Sequence, residues 1–200
     1  MSEYDDGTPR PPKRFEERVN GETASRTAAH EAGHILTAWL SWAVASVDGT
    51  VFITGDDDTR VEVKMTYRRP YQPIQLWEAL VISSAGMAGE VVTHHAFKTR
   101  NARVDIQNMR TQIEQLTRWF GTALKPPWPE PTARDAPPFE TYFKDNLPDG
   151  WGGLMRSVYR RARDIILSNR GAFERLRTAM LVKIELTTAE IEAALRMPKA

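Results

Sequence analysis

RTAAHEAGHILTAWL, residues 26–40, decides how the rest of the chain is read. Ile35, Leu36, Trp39 and Leu40 recur at helical spacing, so the stretch is expected to form a helix with one apolar face. His30 and His34 are four residues apart, which sets both imidazoles on one side of that helix, one turn from each other. Glu31 is rotated to stand beside them. Two imidazoles so placed can converge on one metal ion. The glutamate can then take a proton from a water molecule and pass it to a leaving amine. Gly33 costs about 1 kcal/mol relative to alanine inside a helix, so the position calls for close approach by another segment or by substrate.

A catalytic zinc usually takes three protein ligands and keeps a fourth position open. The chain has no cysteine, which excludes disulfides, iron–sulfur clusters, thiolate metal sites and a cysteine nucleophile. The four histidines are His30, His34, His94 and His95. A histidine six residues after His34 would mark the metzincin class, but position 40 is a leucine. The remaining candidates for a third ligand are His94, His95, Glu90, Asp105 and Glu114. His94 and His95 end an expected helix, where the helix dipole favours them without any metal, and two adjacent helical residues cannot both face one site. Glu90 can act as a ligand or as an acceptor for an imidazole N–H. Asp105 opens an expected helix, where capping accounts for it as well as ligation does. Spacing alone leaves the third ligand open.

Outward from this helix, residues 1–22 read as a flexible arm, charged and carrying Pro9, Pro11 and Pro12, without the apolar centre of a signal peptide. The first helix is expected over residues 23–44. SVDGTVFITGDDDTRVEVKMTY (residues 46–67) then alternates apolar residues around a turn at 55–58 and predicts a β-hairpin. A second helix is expected over 74–94, with the small-residue run SSAGMAGE (83–90) packing against the first. Ile106, Met109, Ile113 and Leu116 predict a third helix over 104–120. Seven of the 13 prolines fall in a stretch read as an insertion at about 125–150. Further helices are expected over 152–168 and 171–183, and Thr187 with Glu190 forms a capping box that opens a last one, ending at Leu195. The fold class is therefore mainly α, a single domain over residues 23–200 with a small hairpin between its first two helices.

Hydrophobic residues make up 41% and charged residues 26%, as in an ordinary globular protein. With 27 basic and 26 acidic residues the net charge is +1, which gives no strong pull toward nucleic acid or an anionic membrane. The most apolar window, residues 35–47, is too short for a membrane span, so a cytoplasmic protein is expected.

Four ordered blocks give the chain a family likeness. HEAGH is followed by AGMAGEVV (85–92), TRNARVDIQNMRTQIEQL (99–116) and RDIILSNRGAFERLRTAMLVKIELTTAEI (163–191). In these blocks it resembles the zinc peptidase domain of the FtsH-type ATP-dependent membrane proteases, over roughly residues 23–195. The resemblance implies a helical HExxH-type zinc-peptidase domain holding one Zn2+ per chain through His30, His34 and Asp105. It also implies Glu31 as the catalytic base and places Glu90 beside the site, behind the ligands. The implied function is a stand-alone zinc metalloendopeptidase that cuts flexible or unfolded polypeptides without ATP. The family analogy adds a homo-oligomer, hexameric in that family, and a partner ATPase. The alternative is a catalytically weak or inactive adaptor for a separate protease or ATPase. The chain departs from the family in lacking a G-x-x-x-x-G-K-[ST] motif and a membrane span, and in the basic KTRNARVD (98–105) before Asp105.

Overall fold

The structure is a computed structural model, and it describes residues 21–54, 59–121, 124–127, 151–183 and 185–199. Along the chain run α1 (Gly21–Leu40), β1 (Val44–Thr54), β2 (Thr59–Tyr67), α2 (Gln75–His94), α3 (Thr99–Phe120), α4 (Trp151–Ser168), α5 (Arg170–Val182) and α6 (Thr188–Leu195). The protein is mainly helical, with a two-stranded antiparallel sheet between its first two helices. Residues 1–20 of the expected arm, the hairpin turn at 55–58 and most of the Pro-rich stretch lie outside the described residues.

Helix α1 stops at Leu40, four residues before the expected end. Ser41 turns the chain there: its hydroxyl donates to Glu78 Oε2 at 2.7 Å and accepts from the Ala43 N–H at 3.2 Å. Ala43 is buried in the turn that follows, and Val44 and Val47 are buried in β1 instead of the helix. Strand β1 pairs with β2 in the register Val47↔Met65 and Thr50↔Val63, with irregularities near residues 45 and 48. Its other edge is met by the chain entering α6, where the Thr50 N–H donates to the Leu186 carbonyl at 2.9 Å. Gly49 holds φ at +128° at this crossing, and a Cβ there would press on the Leu186 carbonyl oxygen. The capping box of Thr187 and Glu190 forms as the sequence indicates.

Helix α2 is the centre of the fold, buried from Gln75 to Glu90 except at Glu78, with α1, α3 and α4 packed around it. The small-residue run explains how closely α1 approaches. A Cβ on Gly33 would run into the Ala85 carbonyl oxygen, and one on Gly89 into that of Ala29, so the two backbones touch at both levels. Helix α5 covers α1 with Phe173, Leu176 and Met180. Helix α3 buries Ala102, Ile106, Met109, Ile113 and Leu116. It begins at Thr99, five residues earlier than expected, so Asp105 lies in the second helical turn and is not a cap. The missing start signal is supplied from a distance: the N-cap residue Lys98 makes no side-chain cap, and its N–H donates to Glu90 Oε2 at 2.9 Å. No helix among the described residues is long and apolar enough to cross a membrane.

Candidate metal centre

Helix α1 presents His30 and His34 inward, both buried, their rings edge-on with centroids 4.8 Å apart. The outer nitrogen of each ring is committed. His34 Nδ1 lies 2.7 Å from the Ile82 carbonyl oxygen, and a carbonyl can only accept, so the proton is on Nδ1. His30 Nδ1 lies 2.8 Å from Glu90 Oε1 and donates to that carboxylate by the same logic. The neutral form of each ring then carries a bare lone pair on Nε2.

Both lone pairs meet a third acceptor. Asp105 Oδ2 stands 2.9 Å from His30 Nε2 and 3.3 Å from His34 Nε2. Those separations suit hydrogen bonds, yet Asp105 Oδ2 is buried without a hydrogen-bond partner. In the neutral rings no proton lies between these atoms, so in that form Asp105 Oδ2 faces two lone pairs. Three buried ligand atoms, one each from His30, His34 and Asp105, thus lie within 4.8 Å of one another, and the group can hold a metal ion. Three acceptors converging away from water repel one another unless a cation sits among them.

With no metal bound, ring protons supply the positive charge that the three acceptors call for. Burial opposes charge on both imidazoles, yet Asp105 outweighs it and holds His30 well above, and His34 above, the usual histidine pKa. Burial likewise opposes ionisation of Asp105, but His34 and His30 together hold it far below the usual carboxylate range. The cluster is built for positive charge. Burial lifts the Glu31 carboxyl to about 7; the two imidazoles pull it down, and Asp105 and Glu90 add to the rise.

The floor of the group is Gly86 of α2. A Cβ on it would fall on the Nε2 atoms of both histidines, so any other residue would occupy the space where the ligand atoms converge. Glu90 stands behind His30, outside the converging group. Its Oε1 takes the imidazole proton, its Oε2 takes the Lys98 N–H, and the Arg26 guanidinium lies 4.0 Å from Oε2. His94 instead faces Ser25, 3.3 Å from its hydroxyl, and His95 is the exposed left-handed cap of α2. Glu114 is on the exposed face of α3. Of the five candidates for a third ligand, Asp105 is the one that reaches both imidazoles.

Sequence reasoning did not find the Ile82 carbonyl, because a backbone group has no residue signature. It placed small residues around Gly86 for helix packing without assigning that glycine to the cradle. Comparison with models of known protein families finds no match, and comparison with curated proteins finds none either. The functional reading therefore stands on the site itself.

Proposed function

We propose that the protein is a zinc metalloendopeptidase of the FtsH-type peptidase class, acting on flexible or unfolded polypeptide. One observation carries this reading: three acceptors with fixed tautomers converge in a buried cradle with the Glu31 carboxyl beside them. Two imidazoles and one carboxylate make a donor set suited to zinc that leaves a coordination position free. Bound there, zinc supplies Lewis acidity, polarising the scissile carbonyl and acidifying water.

The chain's own residues do the rest. Glu31 takes a proton from the attacking water as its oxygen bonds to the peptide carbon. The same carboxyl then protonates the nitrogen as the C–N bond breaks. Glu90 and the Ile82 carbonyl hold the two imidazoles with their Nε2 atoms inward through these steps. A scaffold without activity gains nothing from a buried carboxyl at Glu31, which weighs against the adaptor alternative.

The test is hydrolysis of casein by the zinc-loaded protein, with and without a chelator, beside a Glu31→Gln variant. Chelator-sensitive cleavage that the variant loses supports the proposal; equal cleavage in all three samples overturns it.

A further inference from the structure

Each helix that builds the metal group contributes a second polar residue farther along. Thr37 of α1 follows His34 by three residues, on the same face. Ser83 of α2 directly follows Ile82, the residue that holds His34. Gln112 of α3 follows Asp105 by seven residues, again on the same face. Gln112 Nε2 donates to Ser83 Oγ at 3.2 Å, which ties α3 to α2 here.

Two polar atoms of this set are left over. Thr37 is 2% exposed, and its hydroxyl has no partner, not even the carbonyl one turn back that a mid-helix threonine usually takes. Gln112 Oε1 is also buried and unpartnered. An unsatisfied buried polar group costs about 1–3 kcal/mol, so each of these two atoms gains from a ligand group that pairs it.

We infer that Thr37, Ser83 and Gln112 form a side-chain subsite of the proposed peptidase, selecting a carboxamide, Asn or Gln, next to the scissile bond. This rests on the peptidase reading. The offsets of three and seven residues are about 5–10 Å along the helix axes, the reach of the first or second side chain beyond that bond. A substrate amide N–H donates to Gln112 Oε1 while its carbonyl accepts from the Thr37 hydroxyl. A carboxamide is its own complement, so the pairing works whichever way the Gln112 amide is turned. An aliphatic side chain leaves both atoms orphaned. A charged one must shed its water among three neutral dipoles.

The test uses quenched-fluorescent peptides varied at the two positions on each side of the cleaved bond, with the zinc-loaded full chain. Wild type is expected to cut Gln or Asn peptides with kcat/KM about tenfold or more above Leu peptides. Thr37→Val and Gln112→Leu should bring that ratio to within about twofold, and Thr37→Ser should restore it, with zinc content unchanged throughout. A wild type with no carboxamide preference overturns the inference, as do variants that keep it or that lose the preference together with their zinc. In those cases chelator-sensitive cleavage still stands. Absence of such cleavage in wild type brings down the peptidase reading and the subsite with it.

Discussion

His30 is held from both ends: Glu90 Oε1 lies 2.8 Å from its Nδ1, and Asp105 Oδ2 lies 2.9 Å from its Nε2. Glu90 therefore sets the tautomer and the ring plane without reaching the metal position. Glu90→Gln keeps an oxygen that can accept the Nδ1–H but loses the charge. It is expected to lower zinc affinity about 10-fold, and Glu90→Ala toward 100-fold, measured by competition with a chromogenic chelator. Equal affinity in all three proteins would remove Glu90 from the site's support. The alanine variant should also unfold more easily, because the Lys98 N–H loses the acceptor that starts α3.

That double duty explains what could and could not be read from the sequence. HEAGH was legible because its spacing and its helix are the same local fact. Asp105 was not legible from its own surroundings, since KTRNARVD carries no strong start signal and a late helix start made it look like a cap. The start is set by Glu90, eight residues earlier in the chain and on another helix. The end of α1 was misplaced for a similar reason, as Ser41 turns the chain by bonding to Glu78. The close approach of α1 and α2 was legible, because glycines inside helices cost stability unless another backbone packs onto them.

Removing Asp105 should leave a pair of histidines that cannot hold zinc at neutral pH. Asp105→Ala is expected to fall from one zinc per chain to well below one after dialysis, as read by elemental analysis. The variant should still show a helical circular dichroism spectrum, since Asp105 anchors no helix end. Full zinc retention would move the third ligand elsewhere.

The two glycines facing each other across α1 and α2 should fail in different ways. Gly86→Ala places a methyl among the Nε2 atoms and should abolish zinc binding. Gly33→Ala presses on the Ala85 carbonyl and forces the helix backbones apart, at about 1–3 kcal/mol of stability. Thermal melts paired with zinc titrations separate them: the first should lose affinity most, the second melting temperature. A Gly86→Ala protein with wild-type zinc affinity would contradict the cradle.

Metal-free protein should lose stability as pH rises, and zinc should cancel the loss. The raised pKa values of His30 and His34 give stability that is complete below the ordinary histidine value of 6.5 and fades as pH passes through the raised values. Glu31, lifted from 4.5 to about 7, acts in the same direction over that lower range. Asp105, held below its usual range, stays ionised throughout and contributes a constant amount above about pH 4. The chelated protein should therefore show a melting temperature that declines from about pH 6.5 toward pH 8.5. In the zinc-loaded form the metal stands in place of the ring protons, and its affinity rises as those protons are released. The gap between the two melting curves should widen with pH; parallel curves would show that the buried cluster is not where the metal binds.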